Sequence, residues 1–397
     1  GSAISNGKLT RYGLEATGIN THRRVPVALT WYHETVKALS RMVPYSLYRA
    51  LGRHVPMESI FVLVSVIIFS ATFIYAYKFG GVLGGKPFGL IVSGVFASNF
   101  YFNQLLHGSL EPQLNIYPLL LVAGVFYIAR QFRNVASYSF WNSMCIGLVF
   151  GLCFANSYPS TRFILIVFLV GYLVVVNVSD KSLWKYKAYT LFTTALIGVI
   201  IYAVVASIYS LLLGEDALYH YRLLGEAYGA IFSPGGNYSI SNKLYFASNS
   251  KEVISAVLDS FSKIFRLVVI GPRYVHGGHQ PGLLLNLPFL NLFEVAMLVI
   301  GTISPFVIKR LHNFRPYIIY LAIFFFGRAF TNDNMLVDKD SFDYFIVLLF
   351  VVSIGIFSLS QMTGKLVNHL LLIGMVDKLI GVSKKLYCWC LSKVVGG

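Results

Sequence analysis

A few ionisable residues stand out because nearly everything around them is apolar or small. Glu111 sits in Leu106-His-Gly-Ser-Leu-Glu-Pro-Gln113, a short link between two apolar runs. A carboxylate there suits a general base or a metal ligand; it equally suits a helix N-terminus, where the dipole favours negative charge. Arg162 closes the next such link, Asn156-Ser-Tyr-Pro-Ser-Thr-Arg162. Its planar fork of donors matches a phosphate, and its structural alternative is an interfacial anchor with its stem in lipid. Arg273, His276 and His279 fall in Gly271-Pro-Arg-Tyr-Val-His-Gly-Gly-His-Gln-Pro-Gly282. Glycines there permit close approach to a phosphate; the His-x-x-His spacing alone is a weak zinc signal. Glu294 lies inside the apolar run Leu284–Ile308. A carboxylate in such a run is costly and often functional, so it reads either as a substrate contact or as a hydrogen-bonded structural group.

The elements that position these groups are long and apolar. Hydrophobic residues make up 56% of the 397, charged residues 12%, and the mean hydropathy is +0.67. That charge is about half of what a soluble chain of this length carries. Nine runs approach the ~20 residues needed to cross a bilayer. They are Ile60–Tyr77, Phe88–Phe102, Ile116–Ala129, Phe140–Ala155, Phe163–Val178, Tyr189–Leu213, Leu284–Ile308, Tyr317–Phe330 and Phe342–Leu359. In lipid, backbone polar groups need partners within the chain, so these runs are expected to be helices. The expectation is an all-α, polytopic transmembrane bundle of about nine or more spans, with amphipathic helices on its outer surface.

The net charge of +16 arises from 32 Lys and Arg against 16 Asp and Glu. No compact basic domain or stripe accompanies it, which argues against nucleic acid and for basic loops beside a negative membrane surface. Alternate connections carry Lys78 and Lys86, then Arg130 and Arg133, then Lys181, Lys185 and Lys187, then Lys309, Arg310 and Arg315. The intervening connections are poor in cations. The positive-inside rule therefore places the first set, and the basic tail, in the cytoplasm, with the long loops outside or in a lumen. Five regions follow: an outer segment 1–59 with amphipathic helices, six spans in 60–213, a long outer loop 214–283 containing a helical pattern Glu252–Ile270, C-terminal spans in 284–362, and the tail 363–397. Cys145, Cys153, Cys388 and Cys390 have no disulfide-framework or zinc spacing. The opening Gly1-Ser2 reads as a cloning scar or trimmed start, so an earlier native start, and an earlier span, are expected.

Three features line up: surface helices ahead of six closely spaced spans, one carboxylate at the start of a span (Glu111), and one cation at the start of a later one (Arg162). Leu110-Glu111, Gly151-Leu-Cys-Phe-Ala-Asn-Ser-Tyr158 with Arg162, and Phe342-Asp-Tyr-Phe345 carry weak motifs. In this layout the chain resembles the GT-C superfamily of membrane glycosyltransferases, such as protein mannosyltransferases and aminoarabinose transferases. The resemblance covers roughly residues 10–213 well and the rest loosely. It implies a polyprenyl-phosphate sugar donor, a divalent cation in some members, and a start just after the family's first span. It also implies an Asp early in the first outer loop. Here that region reads Leu9-Thr-Arg-Tyr-Gly-Leu-Glu-Ala-Thr-Gly18, in which Glu15 is the nearest carboxylate. Glu15 substitutes for the Asp, or the Asp lies upstream of Gly1, or this member is inactive.

On this reading Glu15 and Glu111 are candidate catalytic carboxylates, and Arg162, Arg273, His276, His279 and Glu294 candidate substrate contacts. Two other classes compete: a catalytically silent, lipid-binding subunit of a membrane complex, and a transporter. A transporter wants several charged residues facing one another in mid-membrane, and Glu294 is the one clear instance.

Overall fold

The computed structural model describes residues 4–5, 8–9, 38–51, 54–99, 113–133, 137–156, 165–167, 169–171, 181–212, 214, 216–219, 221–222, 249–269, 290–331 and 342–372. Almost all of these are helical. The exception in regular structure is a two-stranded antiparallel ladder, β1 (Ile4–Ser5) and β2 (Lys8–Leu9), with Ile4 opposite Leu9.

The helices are α1 (Ala38–Ala50), α2 (Met57–Ser98), α3 (Gln113–Arg133), α4 (Phe140–Asn156), α5 (Lys181–Leu212), α6 (Ser250–Val269), α7 (Leu292–Val307), α8 (Arg315–Thr331) and α9 (Phe342–Leu372). A 3₁₀ turn, Lys309–Phe314, joins α7 to α8 across a bend of 106°. Among the described residues, three helical stretches are long and apolar enough to cross a membrane: Val62–Ser98, Leu183–Leu212 and Ile346–Thr363. The bent pair Leu292–Val307 and Lys309–Ile323 passes the same test jointly, and Pro118–Gln131 and Phe140–Ala155 are shorter apolar helices.

α2 is not one rod. Gly85 has φ 79° and ψ 179°, a conformation from which a side chain would be excluded. There the chain turns back on itself. Ser93 Oγ donates to Phe73 O at 3.3 Å, and a Cβ placed on Gly80 would lie 2.8 Å from Gly89 Cα. In a continuous helix residues 73 and 93 would stand about 30 Å apart. The two arms are thus an antiparallel hairpin, and they correspond to the first two apolar runs. Pro87 follows the turn where its fixed φ and missing N–H are tolerated at a helix start.

Two parallel pairs organise the remainder. α4 and α5 meet through Gly147 and Gly151, whose added Cβ atoms would lie 2.8 Å from Thr194 O and 2.6 Å from Gly198 O. Thr194 Oγ1 also donates to Ser143 O at 3.4 Å. α7 and α9 meet through Gly301 and Gly355, each packed directly on backbone of the other helix at Val351 and Met297. One turn further along, Ser304 and Ser358 share a hydrogen bond of 2.6 Å. Contact levels rise together in both pairs, so the partners run in the same direction. Each pair therefore requires a return segment between its members. α8 supplies one; helical residues 165–167 and 169–171 lie in the other, and Tyr320 Oη of α8 donates to Gly171 O at 3.2 Å.

The core lies between the α2 hairpin, α3, α7 and α9, with α4 against its edge. Phe88, Phe314 and Phe357 meet with ring centroids 4.9–6.2 Å apart, tying hairpin, 3₁₀ turn and α9 together. A second cluster is smaller. Tyr45 of α1 packs with Ala155 of α4 and Val205 and Tyr209 of α5, so α1 lies across the C-terminal ends of that pair. The expected helix Glu252–Ile270 is present as α6. α9 continues to Leu372, thirteen residues past the end of its apolar run at Leu359 and into the segment read as tail.

Candidate functional site

Two ends of the bundle can be told apart by their contacts. At one end lie the hairpin turn, the end of α3, the starts of α4 and α5, and the 3₁₀ turn. Arg133 Nη1 donates to Val82 O at 3.2 Å, Asn142 Nδ2 to Tyr127 O at 3.0 Å, and the Tyr138 ring stands 5.6 Å from that of Tyr189. Lys86, Arg130, Arg133, Lys185, Lys309 and Arg310 lie at this end. At the opposite end lie the start and finish of α2, the start of α3, the finishes of α4 and α5, α1, and the start of α7. Glu58, Asp216 and Glu294 belong to this second end.

Glu294 is the one sequence-selected site residue among those described. It lies in the first turn of α7 rather than in mid-span. Asn291 is the N-cap: its side chain accepts from Glu294 N at 2.9 Å, while Glu294 Oε2 accepts from Asn291 N at 2.8 Å. This reciprocal capping box satisfies two donors that a helix start leaves open. Glu294 Oε1 accepts from Asn99 Nδ2 at 2.8 Å. Asn99 caps the C-terminal end of α2 through its own N–H to Val95 O. Both side chains are buried, at 8% and 3% exposure. The negative charge also faces the positive end of the α7 dipole. A carboxylate held by two donors, Asn291 N and Asn99 Nδ2, at a helix start is a joint between residues 195 apart in sequence, which gives the structural alternative for Glu294 a concrete form.

Glu15, Glu111, Arg162, Arg273, His276 and His279 lie outside the described residues. Arg328 falls in the last turn of α8. Among the described residues no three His, Cys, Asp or Glu side chains come together as a metal site. An apolar cavity of ≈ 30 Å³ lies between the α2 hairpin, α3, α8 and α9, lined by Phe79, Phe96, Leu121, Val125, Leu321 and Phe350 among others. It holds about one small molecule of water size and is far too small for a lipid chain.

Sequence reasoning missed Asn99, although an amide near the end of an apolar run is itself a signal. It also missed a polar cluster at the basic end. Tyr75 and Tyr127 share a hydrogen bond of 3.0 Å; Asn142 Nδ2 donates to Gln131 Oε1 at 3.0 Å, and Gln131 Nε2 to Ser137 O at 3.1 Å. Each of these polar residues stands inside or beside a run that is otherwise apolar, where an unpaired group would cost several kcal/mol.

No protein family, curated protein or solved structure matches this chain. Functional argument therefore rests on its own residues.

Proposed function

We propose that the chain is an integral membrane glycosyltransferase of the GT-C type, which transfers a sugar from a polyprenyl-phosphate donor at the outer or luminal face of its membrane. The supporting observation is the arrangement of the end opposite the basic linkers. Glu111 is two residues from Gln113, where α3 begins, and Arg162 is six residues from Asn156, where α4 finishes. Both helices have their other termini at the basic end. The termini of α3 and α4 from which these two residues are counted lie at that opposite end. α1 lies across the same end, as a surface helix would at a membrane boundary. The basic linkers at the far end then face the cytoplasm, with the long loops and the candidate residues outside.

The chemistry follows from the groups. A carboxylate at Glu111 or Glu15 takes the proton of the acceptor hydroxyl as the sugar carbon–oxygen bond to it forms. The donor's anomeric carbon–oxygen bond to phosphate breaks, and Arg162 and Arg273 carry the charge that develops on the leaving phosphate. Exclusion of water by lipid and loop strengthens both effects.

The test is transfer from polyprenyl-phosphate sugars by the purified chain. Glu111→Gln lowers turnover by a factor of roughly 10²–10⁴ with the fold intact. Arg162→Ala weakens both donor binding and turnover, because phosphate charge grows toward the transition state. Undiminished transfer by Glu111→Gln removes the residue from the mechanism.

A second reading has its own support. Leu9–Gly18 lacks the family's Asp, which favours a silent, lipid-binding subunit of a membrane complex. Inactivity with every donor, together with stable co-purification of partner subunits, selects it. The transporter reading loses ground, since Glu294 is engaged in a capping box at a helix start.

A further inference from the structure

We propose that the basic end of the bundle is a binding surface for anionic phospholipid headgroups, centred on Lys86, Arg130, Arg133, Lys309 and Arg310. The folded chain brings these cations together from three separate linkers. Arg133 donates to Val82 O beside the hairpin turn, which fixes Lys86 and the end of α3 next to each other. The Phe88–Phe314 ring contact at 4.9 Å brings the 3₁₀ turn, with Lys309 and Arg310, to the same place. All five side chains are exposed. No Asp or Glu occurs in the described parts of these linkers. Arg315 is not part of the surface but of its frame: its Nε and Nη2 donate to Pro305 O and Phe306 O at 2.8 Å and close the C-terminal end of α7.

The surroundings point to a lipid rather than to a soluble polyanion. Trp141 and Trp184, in the first turns of α4 and α5, are 71% and 48% exposed at this end. Indole rings prefer the headgroup level of a bilayer. Directly beyond them α5 exposes Phe192, Leu196, Val199 and Val204 along its length. A soluble acid would neutralise the cations and leave this apolar collar in water. A phospholipid covers both, with its phosphate on the cations and its chains along the helices. The surface draws on the hairpin, α3 and the 3₁₀ turn, so one headgroup layer bridges the two halves of the bundle. The inference does not depend on the transferase reading.

Native mass spectrometry of the full chain in detergent micelles tests it, with phosphatidylglycerol, phosphatidylcholine and soluble glycerol phosphate as probes. Phosphatidylglycerol is retained at least tenfold better than phosphatidylcholine. Removing two cations with Lys309→Gln and Arg310→Gln lowers that retention at least tenfold, at about fivefold per cation. Thermal stability in plain detergent stays unchanged, because both side chains are exposed. Lys251→Gln, on α6 and outside the surface, retains the lipid as the unaltered chain does. Equal retention of the two lipids overturns the proposal. Displacement of phosphatidylglycerol by millimolar glycerol phosphate also overturns it, by showing a site for a free phosphate instead.

Discussion

The α4–α5 pair and the α7–α9 pair use the same contact in opposite surroundings. Both are parallel, both close on glycine, and both add a hydroxyl beside the crossing. Yet the apolar window of α5 is 22% buried and that of α9 is 67% buried. α5 shows a long face of Phe192, Leu196, Val199, Ile200 and Val204 outward, whereas α9 buries nearly every side chain from Ile346 to Phe357. The difference teaches that hydropathy does not locate a helix in the bundle. What locates it is how many sides must be complementary. α9 meets α7 on one side, the α2 hairpin on another and α3 on a third, so it has no side left for lipid. α5 has a tight seam with α4 and is crossed by α1 near its C-terminal end; among the described residues the rest of its length faces outward.

The difference makes the two seams unequally tolerant of change. Gly355→Ala has the largest expected effect. Its Cβ would overlap the backbone of Met297, and α9 cannot withdraw because the α2 hairpin and α3 pack against its other sides, so only α7, with Val299, Ile303 and Val307 facing outward, could yield. Overpacking of this kind costs about 3 kcal/mol or more. Unfolding of the purified chain in mixed micelles measures it, and failure to recover folded protein is the extreme form of the same result. Gly151→Ala comes next. Its Cβ would meet Gly198 O at 2.6 Å and Ile201 Cβ at 2.7 Å. α5 can shift outward against lipid, so the loss falls to about 1–2 kcal/mol. A loss at Gly151 equal to that at Gly355 would erase the contrast between an open and an enclosed seam.

Ser358→Ala is smaller again. It removes the Ser304 bond but leaves a methyl that fills most of the space. Hydrogen bonds between membrane helices average about 0.6 kcal/mol, and the change in unfolding free energy is expected near that figure. Ser304→Ala should cost no more than this, because Ser358 Oγ also donates to Ile354 O within α9 and only Ser358→Ala loses that second bond; the double variant should cost little more than Ser358→Ala, since the interhelical bond is lost in all three.

The local features of this fold were legible in the sequence and the pairings were not. Gly84-Gly85-Lys86-Pro87 between two apolar runs announces a reversal, and the structure turns at Gly85. Asn291-x-x-Glu294 ahead of an apolar stretch carries the spacing of a capping box, yet the run was read as beginning at Leu284, which put Glu294 in mid-span. The apolar run ends at Leu359, and polar residues such as Gln361 and Asn368 follow, yet α9 continues through them to Leu372, because a helix propagates readily once its backbone bonds are established. Long-range partners leave no local trace. Nothing near Asn99 names Glu294, and Gly147 and Gly151 share a helix face without naming Thr194 or Gly198. Glu111, Arg162, Arg273, His276 and His279 lie outside the described residues; in the sequence they fall in links between apolar runs, where neither apolar periodicity nor a capping pattern points to a placement.

The smallest predicted effect is the most discriminating. Gly198 stands on the same seam as Gly147 and Gly151, so sequence alone would rank the three alike. Their geometry does not. A Cβ on Gly198 would find Gly147 O at 3.4 Å and Gly151 N and Phe150 Cβ at 3.8 Å, which are ordinary contacts. The asymmetry has a cause in the direction of side chains: in parallel helices each Cα–Cβ bond tilts toward the N-terminus. Gly147 and Gly151 aim theirs at the backbone of α5, while the bond of Gly198 passes beside α4. Gly198→Ala should therefore be neutral, or stabilising by up to ~1 kcal/mol through the better helix propensity of alanine. A loss as large as that of Gly151→Ala would mean that α4 and α5 approach along a different line, with Gly198 at the point of closest contact. The ordering of the whole series would then have to be rebuilt from that line.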